Sequence, residues 1–437
     1  MARSEMERKG EMPPEDDCEC KDGMFPDPGR RRLLLGSAAL AGAGLLARSA
    51  VASPGSSDFE VPEDATRQPG IEAGYNQGYG LRSQFESSKR LVFTTPGGGT
   101  SASFTPLDSL EGTITPSGLH YEVHHGGIPV INPTFHKLLI HGRVKNPKVF
   151  NLVDLKRFPS ITRKAFLECA GNGFTEWKKP TMPHVQGTHG LTSSSEWTGV
   201  ALSTLLKEAG LEDDANWILG EGADAGMHTR SIPIDKALDD ALVVYAQNGE
   251  AIRPEQGYPI RLLLPGFEGN MSIKWLRRLE VMDKPSFTRP EVTTYADPVR
   301  DGKTRYFTWE MEAKSVITFP SGNMKLPVAG HYPIQGLAWS GRGAITRVEI
   351  SVDGGKHWQD AKLVEPIHSK SHTRFVYDWK WTGKPAILQS RASDETGYVQ
   401  PTLKALVDVR GTESKDHNNA IQSWNIDILG NVSNVHA

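Results

Sequence analysis

The chain is poor in cysteine. It has three in 437 residues, and two of them, Cys18 and Cys20, lie before a segment that reads as an export signal. The exported protein is expected to keep Cys169 alone, which excludes a disulfide framework and any iron–sulfur cluster held by cysteines of this chain. No C-x-x-C-H is present, so no c-type haem is attached. A P-loop is missing too: Gly97-Gly98-Gly99 lacks the Lys-Ser/Thr that would follow it. Thr192-Ser193-Ser194-Ser195 lacks the G-x-S-x-G elbow of a serine hydrolase. Neither sign of charge dominates, with 49 Lys+Arg against 52 Asp+Glu and a net charge of −3. That balance argues against nucleic acid as a partner. No run after residue 52 is apolar and long enough to span a bilayer, so no membrane partner is expected.

What is present begins with Arg30-Arg31-Arg32, followed by Leu33-Leu34-Leu35 and an apolar run to Leu46. Ala50-Val51-Ala52 then makes an A-x-A cleavage pattern. Tandem arginines before a mild apolar run resemble a twin-arginine signal over residues 1–52, and imply export to the periplasm. Such a route carries folded proteins, which suits a chain that receives a cofactor before it leaves.

Residues 53–90, rich in Gly, Ser, Gln and charge, read as an extended arm. Residues 91–290 mix short strands with helices and form a first domain of α+β class. Leu202 to Ala209 is an amphipathic helix stopped by Gly210, and 241–246 and 260–266 are apolar runs fit for buried strands. Over 291–410 the texture changes to short alternating runs, as in Thr346 to Val352. Asp353-Gly354-Gly355 then makes a hairpin turn. That pattern predicts a β-sandwich. Residues 411–437 read as a polar tail with one apolar patch, Ile421 to Ile428.

A lone thiol is either an inert core residue or a ligand and nucleophile. Cys169 is followed by Ala170, Gly171 and Gly173, small residues that let backbone approach a large ligand closely. Elsewhere His124-His125, Arg261 and Ser272-Ile273-Lys274 supply basic and polar groups suited to an anionic cofactor.

In their order these segments resemble the sulfite oxidase family of molybdopterin enzymes over roughly residues 90–412. Cys169-Ala170-Gly171-Asn172 matches its molybdenum-ligand motif. Trp197-Thr198-Gly199-Val200-Ala201-Leu202 matches Trp-x-Gly-Val-x-Leu. Val244-Tyr245-Ala246-Gln247-Asn248-Gly249 is similar to Ala-Tyr-x-Met-Asn-Gly. Gly257-Tyr258-Pro259-Ile260-Arg261-Leu262 and Lys274-Trp275-Leu276 match the cofactor-binding stretch. Arg347 to Gly355 with Trp358 resembles the family's immunoglobulin-like dimerisation domain. Two departures stand out: Val123-His124-His125 replaces Arg-Asn-His, and Gln256 replaces a histidine.

The resemblance implies a molybdenum–molybdopterin cofactor and no haem on this chain. It implies Cys169 as metal ligand and Tyr245 as the active-site tyrosine. His124, His125, Arg261, Ser272, Ile273 and Lys274 would hold the pyranopterin. The export signal, the missing haem domain and the His124-His125 pair are closest in kind to the family's sulfane dehydrogenases of thiosulfate oxidation. This implies a carrier protein bearing the substrate on a cysteine, a c-type (diheme) cytochrome subunit as electron acceptor, and a homodimer through the sandwich. A periplasmic sulfite dehydrogenase is the alternative. A methionine-sulfoxide-type reductase fits less well, since it resembles the first domain alone. Exchanging Arg30, Arg31 and Arg32 together for Lys should block export, because the twin-arginine receptor reads guanidinium while an ordinary signal needs only charge. Fractionation would show unprocessed protein in the cytoplasm, and normal periplasmic yield would overturn the assignment.

Overall fold

The computed structural model describes residues 78–95 and 99–437. The tandem arginines, the cleavage pattern and most of the arm lie outside these residues. From Arg82 onward the chain forms one compact unit. Arg82 to Arg90 is free of helix and strand.

Two five-stranded sheets build the first half. One places Thr192–Ala201 between Ile161–Glu168 and Leu242–Gln247, and Arg261–Leu263 also pairs with Leu242–Gln247. The other runs Lys148–Phe150, Leu138–Gly142, Leu276–Met282, Trp217–Gly222, Thr229–Pro233, with Leu276–Met282 parallel to Leu138–Gly142. The predicted helix is Leu202–Ala209, ended by Gly210 at φ 69°, a left-handed conformation that favours glycine. Its Leu202, Leu205 and Leu206 are buried in the core shared by the two sheets. A three-stranded sheet, Leu91–Thr94, Ser101–Phe104 and Glu122–His124, covers one flank.

The sandwich pairs a four-stranded sheet (Lys314–Phe319, Gly330–Trp339, Thr373–Trp381, Lys362–Val364) with a five-stranded one. The hairpin after Ser351 forms with Gly354 and Gly355 at positive φ, and returns as Gln359–Asp360. Alternation is less clean than the pattern implies. Glu349, expected to face away from Val348 and Ile350, is buried and paired with Arg391 at 2.8 Å.

Two expected boundaries shift. Residues after 290 still belong with the first half: Trp309 stacks on Phe267 (centroids 5.8 Å, 10° between planes) and packs on its core. Residues 411–437 are not a tail. Ser423–Ile426 pairs onto Ala386–Asp394, and Val432–Val435 onto Ser423–Ile426, as two of the five strands of the sandwich's larger sheet. Trp424 is fully buried, and its Nε1 donates to the Ile317 carbonyl at 3.1 Å. The apolar patch at Ile421 to Ile428 is therefore a core strand too short to declare its period. Trp424→Ala should cost about 3–5 kcal/mol of stability through the cavity it leaves. Denaturant unfolding would check this, whereas a free tail would give no change.

Candidate active site

Cys169 follows directly on the strand Ile161–Glu168. Its amide donates to the Leu191 carbonyl at 2.9 Å, and the Asn172 amide closes a turn back onto its carbonyl at 2.9 Å. Gly173 turns the chain at φ 90°, and a Cβ there would press on Asn418 at 3.3 Å. The turn is gripped from below. The buried Glu168 carboxylate accepts from Asn172 Nδ2 (2.9 Å), Lys314 Nζ (2.5 Å) and Trp339 Nε1 (2.7 Å).

A cavity open to solvent lies above this turn. Cys169 and Leu167 line it, with Tyr121, Val123, His124 and His125 on one side and Arg261, Ser272, Ile273 and Lys274 on another. All six expected cofactor-binding side chains and Cys169 therefore meet in one place. Lys274 Nζ donates to the carbonyls of Val123 (3.0 Å) and Glu255 (3.1 Å) and lies 2.9 Å from His124 Nδ1. Arg261 donates to the carbonyls of Gln256 (3.0 Å) and Ser272 (2.8 Å), and its guanidinium lies 5.1 Å over the Trp197 ring. Burial, with Arg261 beside it, lowers the Lys274 ammonium to about 7, and burial lowers Arg261 to about 10.

Tyr245 is not in the cavity. It sits at a bulge where the pairing of Leu242–Gln247 slips between Val244 and Ala246, and its ring packs on the first-half core under Lys156 Nζ at 5.5 Å. A bulge re-aims the side chain it carries. The tyrosines that do line the cavity are Tyr121 and Tyr295. Tyr295 follows a π-helical turn, Pro290–Thr294, a distortion found at functional sites. Its hydroxyl lies 3.5 Å from His125 Nε2, and the Arg230 guanidinium sits 4.6 Å from its ring centroid. Burial, with the Cys169 thiol close by, pushes its phenol well above the ordinary range. His120, Asp224, His228 and Gln256 also line the cavity. Val123 and Gln256, flagged as departures, therefore do face the site.

The residues fit a large anionic cofactor carrying a metal. His120 is buried, with Nδ1 on the Tyr121 carbonyl (2.8 Å), so its Nε2 is a bare acceptor without a protein partner. Arg261 Nε is likewise an unpartnered buried donor. Such groups are costly unless a ligand meets them. Among the described residues no three His, Cys, Asp or Glu side chains converge on a metal position. A metal here would take one protein thiolate, from Cys169, and its other ligands from the cofactor. Burial pushes that thiol up to about 12, and metal coordination would deprotonate it.

Tyr295→Phe should lower kcat by about 10²-fold or more if its hydroxyl serves the reaction. Tyr245→Phe should leave kcat near that of the unmodified enzyme. Steady-state assays of both variants at equal molybdenum content check the assignment.

Comparison with known proteins agrees with this geometry. Residues 125–289 match the oxidoreductase molybdopterin binding domain, and residues 305–423 the Mo-co oxidoreductase dimerisation domain. The chain is 33% identical to the NADH nitrate reductase of Cichorium intybus over 320 residues, 63% of its own length but a third (33%) of that protein. It is 32% identical to mitochondrial sulfite oxidase of Drosophila melanogaster over 316 residues, 67% of this chain and 54% of that one. Among solved structures, the sulfane dehydrogenase SoxCD from Paracoccus pantotrophus is 44% identical with a TM-score of 0.84, covering 88% of this chain and 100% of that chain. With Cys169 in a cavity lined by basic and polar side chains and the sandwich in place, the chain belongs to the sulfite oxidase family of molybdenum–molybdopterin oxidoreductases.

Proposed function

We propose that the chain oxidises sulfane sulfur held on the cysteine of a carrier protein, in the periplasm, and passes the electrons to a c-type cytochrome subunit. Adding one oxygen atom from water to sulfur releases two protons and two electrons, and the electrons leave singly to the cytochrome. The molybdenum cofactor supplies this oxygen-atom transfer when bound. The protein supplies position. Cys169 would anchor the metal. Lys274, Arg261, Ser272 and the His124-His125 pair would hold the pterin and its phosphate. Tyr295 and His125 both line the cavity 3.5 Å apart, and the hydroxyl offers a path by which a proton can pass to the exposed imidazole.

The observation that carries the reading is Val123. It lines the cavity where the family resemblance leads one to expect an arginine for an oxyanion. The basic side chains Arg261 and Lys274 are assigned to the cofactor: each gives donors to backbone carbonyls, and the unpartnered Arg261 Nε is left for the pterin. An apolar wall suits a thiol-linked sulfur better than a free dianion. Similarity to a sulfane dehydrogenase over 88% of the chain supports the same reading. The likeness to a sulfite oxidase keeps sulfite as the competing substrate.

Both substrates should be assayed with cytochrome c as acceptor. The carrier persulfide should be the better one, and Val123→Arg should lower the KM for free sulfite by about tenfold, or ~1.4 kcal/mol of charge-assisted binding. A low-micromolar KM for sulfite in the unmodified enzyme would replace this reading with a sulfite dehydrogenase.

A further inference from the structure

The turn that carries Tyr295 is fastened to the strand Thr229–Pro233 by a carboxylate. Of the five residues Pro290–Thr294, Glu291 alone is buried. One Glu291 oxygen accepts from Arg230 Nε at 3.0 Å and from the Ser231 amide at 2.7 Å. The Arg230 side chain is 0% exposed and reaches three more groups. Its Nη1 lies 2.9 Å from a Glu268 carboxylate oxygen and donates to the side-chain oxygen of Asn270. Its guanidinium carbon stands 4.6 Å from the centroid of the Tyr295 ring, whose electron-rich face attracts a cation. The His228 ring meets the same tyrosine edge to face (centroids 6.0 Å, 86° between planes), and its Nε2 lies 2.9 Å from the Asn270 carbonyl.

From Arg230 the contacts run on to the Cys169 turn by two routes. Gly269 lies between Glu268 and Asn270, and a Cβ there would stand 2.9 Å from the Glu168 carbonyl oxygen. This wall therefore packs on the residue before the thiol. Glu268 also lies 3.4 Å from His417 Nε2, and the His417 amide donates to the Ala170 carbonyl at 2.9 Å. Burial works against a charge on His417, but Glu268 and Glu312 hold its imidazole up to about 10. Glu291, Arg230, Glu268 and His417 thus form a buried line of alternating charge from the Tyr295 turn to the Cys169 turn. Such a line resists displacement, because moving any member away leaves a buried charge unmatched.

We propose that Arg230 is a positioning residue, which sets the Tyr295 ring at a fixed place relative to Cys169. Arg230 is not among the residues that line the cavity, so it acts through the tyrosine. This rests on the role given to Tyr295 above and adds the group that holds it there. Arginine suits the task. A planar guanidinium can meet Glu291, Glu268 and Asn270 along its edge while its flat face lies on the ring. A lysine ammonium keeps the charge as a point and cannot span the same partners.

The test uses the full-length, cofactor-loaded enzyme, assayed on whichever of the carrier persulfide and free sulfite it turns over. Arg230→Lys keeps a counter-ion for both carboxylates. It should lower kcat by about ten- to a hundredfold at equal molybdenum content, since a misplacement of about 1 Å can cost as much. KM should move by less than about twofold, because binding is not what the arginine serves. In an enzyme that already carries Tyr295→Phe, the same exchange should cost almost nothing more, as expected for two residues that act as a unit. If Arg230→Lys fails to take up molybdenum, Arg230→Met is combined with Glu291→Gln. That pair removes one cation with one carboxylate, leaves Glu268 its contact with His417, and should bring kcat close to that of Tyr295→Phe. Unchanged kcat in these variants, or a loss that multiplies in full with that of Tyr295→Phe, would overturn the proposal. Unchanged kcat in Tyr295→Phe removes the tyrosine's role and the positioning role with it. A loss in Tyr295→Phe without one in the Arg230 variants removes the positioning role alone.

Discussion

Glu168 is a fully buried carboxylate one residue before Cys169, and its charge is matched from the second half of the chain. Lys314 and Trp339 both belong to the sandwich, and both end on Glu168. A buried carboxylate left without its partner costs about 3–5 kcal/mol, so the Cys169 turn holds its shape only while the sandwich is docked. The Phe166 amide on the Lys370 carbonyl (2.9 Å) and Thr192 Oγ1 near His372 Nε2 (3.0 Å) repeat the attachment along the same strands. The domain recognised by its family as a dimerisation module is therefore also part of the foundation of the site.

What the sequence made legible follows from local chemistry. Cys169 stood out because it was the single thiol expected after export and was set among small residues. Leu202–Ala209 was legible because an amphipathic period met a stopping glycine. Lys274, Arg261 and the histidine pair could be named because a motif fixed their order. Tyr295 could not be named, since it follows a proline-led π-helical turn with no period. Tyr245 drew attention instead because its segment resembled a motif, and only pairing geometry shows that a bulge turns it elsewhere. The strands Ser423–Ile426 and Val432–Val435 were hidden for another reason. Four residues are too few to show alternation, and the first of the two finds its partner some forty residues back.

The cavity is shaped as much by orphaned atoms as by contacts. His120 Nε2 and Arg261 Nε are buried and unpartnered, and burial holds His120 neutral, lowered to about 3. Neutral acceptors and buried donors set side by side are expensive in an apolar interior. They are worthwhile where one extended ligand meets both. This is a different strategy from a metal cage of side chains, in which charge gathers at a point.

The return of the C-terminal segment to the Cys169 turn has a consequence for how the protein is made. About 250 residues separate the thiol from His417, so at ~5–20 residues per second the ribosome needs roughly 10–50 s to deliver the segment that closes the turn. Through that interval Cys169 is translated but uncovered. Closure of the site therefore waits on a segment made about 250 residues after the thiol it covers.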